Sequence, residues 1–215
     1  MRTITVRGIG TVSVKPDFII VTLDIVSKAM EYNKSVENAN KRIELLQNAV
    51  VSSGFAKEDL KTLSFDVRTN YENEQDRNGR YHNVFKGYAC RYTLKLAFDF
   101  DAKKLADTLT AISDSNANAE FSIKFTVKNP ENISAELLRS ATENARKKAE
   151  ILCVASGAKL GTLLNIDYSW TDINVYSASA YAMERDCCDY LLSVPEFEPD
   201  DIKSQDSATF IWEIT

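Results

Sequence analysis

The run GYACRYTLKLAFDF, Gly87 to Phe100, alternates without a break. Tyr88, Cys90, Tyr92, Leu94, Leu96, Phe98 and Phe100 fall on one side. Ala89, Arg91, Thr93, Lys95, Ala97 and Asp99 fall on the other. A period of two marks a strand with one buried and one wet face. Such a strand belongs in an antiparallel sheet covered on one side. The rest of the chain must therefore supply partner strands and a covering layer of helix.

It holds candidates for both. ITVRGIGTVSV places Ile4, Val6, Val12 and Val14 on one face, with Gly8 and Gly10 between them. Pro16-Asp17 reads as a turn. Ile19, Val21, Leu23 and Ile25 then alternate, so the chain is expected to open with a hairpin. The period changes next. Val36, Ala39, Ile43, Leu46 and Val50 recur at steps of three and four, the stripe of an amphipathic helix stopped at Gly54. Leu63, Phe65 and Val67 form a strand, and Asn78-Gly79 is a strong hairpin turn.

A second cycle follows. Leu105, Leu109 and Ile112 mark a helix, and Phe121, Ile123, Phe125 and Val127 a strand. A long helix opens at Pro130 and closes at Gly157. Its expected stripe is Leu138, Ala141, Ala145, Ala149 and Leu152, with small residues that permit close packing. LLNIDYSW is a further strand, and Phe210, Trp212 and Ile214 alternate in the last one. The expected fold is α+β, with mainly antiparallel sheets and helices on one face. It has two similar ββα/αββ-type halves, about 1–100 and 101–215, packed closely in a single 1–215 unit.

Composition narrows function by exclusion. The 215 residues are 44% hydrophobic, enough for a proper core, and the net charge of -5 argues against a general nucleic-acid binder. The acidity is local: Glu184 to Asp206 carries eight acids and two bases, a net of -6 that leaves +1 for the remainder. That segment reads as a solvated loop; a cation or basic-partner site is the sharper alternative. The four cysteines, Cys90, Cys153, Cys187 and Cys188, include no CxxC pair, so no disulfide framework is expected. The adjacent Cys187 and Cys188 read as loop thiols, with redox sensing as the alternative. No window approaches a membrane span. No apolar leader is visible, so a cytoplasmic location is expected. A periplasmic or cell-surface one would follow if an export signal had been removed.

Gly8-x-Gly10 invites a phosphate-binding reading, which fails on its surroundings. A dinucleotide fingerprint needs a third glycine and then a helix; here Ser13 stands at that place and a strand and turn follow. The glycines are better explained by a bulge or a close approach of backbone. The single histidine, His82, excludes multi-histidine zinc sites and is expected exposed in the hairpin loop. Asp200 and Asp201 with Glu196 and Glu198 could hold a hard cation, but their spacing is not that of an EF-hand. Arg139, Arg146, Lys147 and Lys148 are balanced by Glu131, Glu136, Glu143 and Glu150 on the same helix, the pattern of a solvated face. No catalytic, cofactor-binding or metal-binding residues are assigned, and no cofactor is expected.

The order of these pieces resembles the SIMPL-domain (YggE-like) family. VSVKPD before an apolar strand, the Asn-Ala-Asn helix, SGFAKEDLKTLSFDVRTNY, GYACRYTLKLAF and ATENARKKAEILCVASGAKLGTLLNI match its segments in sequence. The resemblance spans about Thr3 to Thr215. It implies an α+β fold, large ring-like or channel-like oligomers in some members, and a loosely defined link to stress response. Many bacterial members carry an export signal. The function expected is that of a non-enzymatic, self-associating scaffold or binding module. It would act as a homo-oligomer, with room for a protein partner, and without nucleic acid or a membrane span. The alternative is a monomeric or dimeric small-molecule or partner-binding domain. An unrecognised hydrolase ranks below both.

Overall fold

The computed structural model describes residues 2–75, 79–169, 173–183 and 197–215. These form an α+β protein with two antiparallel sheets. The elements in order are β1 (Arg2–Val14), β2 (Phe18–Ala29), α1 (Tyr32–Ser52), β3 (Lys61–Gln75), β4 (Tyr81–Asp99) and α2 (Ala102–Asp114). There follow β5 (Glu120–Thr126), α3 (Pro130–Ser156), β6 (Leu160–Asp167), β7 (Tyr176–Met183) and β8 (Ile202–Ile214). The chain divides into two compact units, each assembled from segments distant in sequence. One comprises residues 1–17, 125–179 and 199–215; the other comprises 18–124 and 180–198.

The first unit carries the three-stranded sheet β1-β8-β6, with α3 packed on β1 and β8. The opening hairpin expected from Pro16-Asp17 does not form. β1 pairs along its whole length with β8, from Arg2 opposite Ile214 to Val14 opposite Ile202, and β2 pairs with β4. Pro16-Asp17 is instead the point where the chain leaves one sheet for the other. Asp17 is tied down there: its N–H donates to the Thr126 carbonyl at 3.1 Å, and its carboxylate accepts the Lys128 N–H at 2.7 Å.

α3 begins and ends as its sequence demands, with Pro130 in the first turn and Gly157 left-handed at φ 72°. Its buried stripe is Ile133, Leu137, Ala141, Ala145, Ala149 and Cys153. The three alanines are as expected, but the flanking positions are Leu137 and Cys153 rather than Leu138 and Leu152. Regular four-residue steps outward from the alanines reach those two, and Leu152 is left exposed.

The second unit is built on the sheet ordered β3-β4-β2-β5-β7, with β5 and β7 divided between the units at 124/125 and 179/180. Ile19, Val21, Leu23 and Ile25 are wholly buried, as are Leu46 and Val50 of α1, Leu96 of β4 and Leu105 of α2. Of the expected α1 stripe Ala39, Leu46 and Val50 are buried and Val36 and Ile43 half-buried, with Ser35 and Ala49 buried beside them. Arg42 holds this layer to the turn before β5. Its Nε donates to the Ala117 carbonyl at 2.6 Å and its Nη1 to the Val26 carbonyl at 2.8 Å, and Nη2 reaches the Asn118 carbonyl.

Several strands exceed their sequence signals, among them β4 and β8, and β7 has none. β4 extends back from Gly87 to Tyr81, because Gly87 (φ 98°) makes a bulge there instead of a start. A Cβ on Gly87 would collide with the Ala29 carbonyl oxygen and lie 2.6 Å from Met30 Cα. β8 reaches back to Ile202, so the end of the acidic segment is strand, not loop. β7, YSASAYAM, carries no apolar alternation that marks a strand.

Candidate functional site

The glycine question is answered in the first unit. A Cβ on Gly8 would collide with the Ala141 carbonyl oxygen and stand 2.8 Å from Ala145 Cβ; one on Gly10 would collide with the Leu137 carbonyl oxygen. The pair exists so that α3 can lie directly on β1. The geometry repeats because two strand residues advance about 6.7 Å and four helix residues about 6 Å. A second stripe of α3, at the same spacing, meets the free edge of β1. Thr11 N–H donates to Ser140 Oγ at 3.3 Å, Ile9 N–H to Asn144 Oδ1 at 3.1 Å, and Lys148 Nζ donates to the Arg7 carbonyl at 3.4 Å. The helix side chains stand in for a neighbouring strand.

The edge at β3 is different. Among the described residues β3 has a strand neighbour only on its β4 side. Leu63, Phe65 and Tyr71 are 55%, 47% and 55% exposed. β2 stops pairing with β4 at Ala29 opposite Tyr88, while β3 and β4 continue together to Gln75 opposite Tyr81. The result is a two-stranded ribbon that projects past its sheet, a form marginal on its own in water. Aromatic rings run along it: Tyr71 to Phe85 at 5.6 Å, Phe85 to Tyr88 at 5.7 Å, and Tyr88 to Tyr32 of α1 at 5.8 Å. Phe65 packs against Tyr92 at 4.6 Å.

Charges decorate the ribbon. Lys86 pairs with Glu74, which lowers the Glu74 carboxyl and raises the Lys86 ammonium relative to their ordinary values. Lys28 lies 3.7 Å from Glu72. Burial, with Asp66 nearby, pushes the Cys90 thiol up, so it is a poor nucleophile.

The residues weighed from sequence do not converge. His82 is exposed, but it sits in β4 opposite Glu74, not in a loop. Arg139 and Arg146 pair along α3 with Glu136 and Glu150, as a solvated face would, while Lys148 turns to β1. Cys90 and Cys153 are buried and free. Cys187, Cys188, Glu196 and Trp170 lie outside the described residues. Among the described residues no cluster of three or more His, Cys, Asp or Glu is arranged to hold a metal. Asp201 accepts from Ser13 Oγ at 3.2 Å. Asp206, buried opposite Gly10, accepts from the Tyr168 hydroxyl at 2.9 Å and from the Ser207 N–H at 2.7 Å. The Asp206 bond holds the Tyr168 hydroxyl above the usual tyrosine range. A groove of about 560 Å³ opens beside these residues in the first unit, lined by Thr11, Val12, Ser13, Lys203, Ser204 and Gln205.

Fold and surface together define an α+β protein of two sheet-and-helix units with one strand edge sealed and another left open. The chain belongs to the SIMPL family, described as a protein of unknown function (DUF541), whose profile matches residues 4–212. It is similar to the 26 kDa periplasmic immunogenic protein of Brucella abortus (strain S19), 24% identical over 166 residues, 76% of this chain. The protein of the same name from Brucella melitensis biotype 1 matches at the same identity and coverage. The match spans 65% of the length of these relatives. The crystal structure of an uncharacterized conserved protein from Listeria innocua aligns over 97% of this chain and 92% of that one. Its identity is 9% and its TM-score 0.19, too low to carry an argument. No helix among the described residues is long and apolar enough to cross a membrane.

Proposed function

We propose that the chain is a non-enzymatic, self-associating module that serves as a scaffold or binding surface. The observation that carries this is the open β3 edge with its projecting aromatic ribbon, which leaves backbone hydrogen-bonding groups and large apolar side chains facing solvent. A further apolar set in the first unit supports it: Ile151, Val154, Leu163, Leu164 and Ile166 are all exposed. Family membership supports it too, through the assemblies formed by some members. The native mass in solution, followed by light scattering across protein concentration, tests the reading. A discrete assembly is expected; a monomer at every concentration overturns it.

The groove of the first unit favours one second reading, a small-molecule or partner-binding domain that works as a monomer or dimer. Its six lining residues offer hydroxyls, an amide and one ammonium group. A thermal-shift screen with anionic and neutral metabolites checks it. Stabilisation lost on Lys203→Ala supports the groove, and no stabilisation by any compound removes it. The periplasmic or cell-surface address belongs to the proposal through the named relatives, and the stress-response role through the family. Cell fractionation and growth of a deletion strain under oxidant test them in turn.

A further inference from the structure

We infer that the partner of the β3 edge is a second copy of the same edge, paired antiparallel about a two-fold axis at Val67. This rests on the self-association reading and specifies its contact. The strand is regular between its two irregularities, which fall at Thr62/Ser64 and Thr69/Tyr71. The usable segment is therefore Ser64 to Thr69, six residues, with Val67 near its centre.

Its sequence is self-complementary in one register. Asp66 and Arg68 point to the same face, since residues two apart share a side. Their side chains already meet at 2.8 Å within the strand, and that of Arg68 is 81% exposed. Pairing about Val67 sets Asp66 of each copy opposite Arg68 of the other. Each carboxylate, already opposite Arg91 of its own β4 and beside its own Arg68, then gains the Arg68 guanidinium of the other chain. On the opposite face Phe65 meets Thr69, and Val67 meets itself. Opposite charges directly across an antiparallel pair attract and like charges repel.

The neighbouring registers that keep the same faces together fail on this count. A shift of one residue in the centre toward Asp66 sets Asp66 against Asp66, and a shift toward Arg68 sets Arg68 against Arg68. The charge pattern thus selects one alignment, and a two-fold contact of this kind closes on itself. β6, which among the described residues pairs with a strand only on its β8 side, carries Asp167 but no base between Leu160 and Asp167, and so has no such self-complementarity.

Mixing charge reversals tests the pairing. Asp66→Arg sets two Arg–Arg pairs in its own dimer, and Arg68→Asp sets two Asp–Asp pairs. Each alone is expected to weaken association by roughly tenfold or more in sedimentation velocity. An equimolar mixture restores both ion pairs, and association at the wild-type level with a one-to-one composition is expected. Melting curves confirm that each variant is folded. Should a reversal unfold the chain, Asp66→Asn and Arg68→Gln replace them, with a weakening of severalfold expected. If the wild type assembles and neither variant set weakens it, or if weakened variants are not rescued by mixing, this pairing is wrong while self-association stands. A wild type that is monomeric throughout overturns both.

Discussion

β1 and β3 are both edge strands of antiparallel sheets, and the chain treats them in opposite ways. β1 is shut by a helix. Glycines remove the side chains beneath α3, and Ser140, Asn144 and Lys148 take up the backbone groups a neighbouring strand would have used. β3 receives no such cover among the described residues. It has two register shifts, a row of charges and a ribbon of exposed aromatics. An exposed edge is normally a hazard that proteins blunt with bulges, charge or cover. Full cover at one edge shows that this fold can seal a strand. The partial protection at the other is what the proposed self-association would use.

The sealed edge is most vulnerable at its glycines. Gly8→Ala or Gly10→Ala drives a methyl into helix backbone that cannot move aside, at an expected cost of about 3 kcal/mol or more. The melting temperature should fall by roughly 6–12 °C, or the folded protein should be lost. Gly54→Ala is the contrast, because a Cβ there meets open space and only φ 83° is strained, about 1 kcal/mol.

Next in size is Asn144→Ala, which leaves the Ile9 N–H without its acceptor. About 1–2 kcal/mol should be lost, roughly 2–8 °C in melting temperature. New concentration-dependent association would show that an unsealed β1 behaves like β3. Tyr168→Phe should cost about 1 kcal/mol by stripping one donor from the buried Asp206. The folded tyrosine titrates above its unfolded value, so this contribution is complete below about pH 10 and is lost as the pH rises through the raised value. The gap between mutant and wild type should close in alkali.

The smallest effect is at the ribbon. The Glu74 carboxyl is lowered by Lys86, so its contribution is present above about pH 4.3 and is lost as the pH falls through the lowered value. Proton titration by NMR should place Glu74 below an ordinary glutamate, and Lys86→Met should return it. High salt should do the same in part, since both groups face solvent.

Most strands and all three helices are legible in the sequence, because hydrophobic period reports which face is buried. Pairing partners are less so. Alternation in residues 4–14 says that one face is covered, but nothing local says that the neighbour is the far C-terminal strand; Pro16-Asp17 suggested the wrong one. The expected β3–β4 hairpin is present, with Gln75 and Tyr81 paired on either side of its turn; Asn78 lies outside the described residues. The first half of β8 is not legible in the sequence because its inward positions include Ser204 and Asp206, polar residues buried against Asn174 and Tyr168. β7, rich in serine and alanine, has no apolar alternation strong enough to announce it. In sequence the glycine pair allows a bulge or a close approach of backbone, and the alanine stripe allows close packing. That they meet each other follows only from the matched pitch of strand and helix. Of the candidate surface, the sequence shows the alternating residues and the charges, not which edge remains open.

Hydrogen exchange, followed by residue across protein concentration, measures the two edges side by side. Slow exchange is expected at Ile9 and Thr11 at every concentration, since their acceptors lie within the same chain. The outward amides between Ser64 and Thr69 should exchange quickly in dilute protein and slow as copies associate. Protection at β3 that does not change with concentration while the protein assembles, or fast exchange at Ile9 and Thr11, would contradict this difference between the edges.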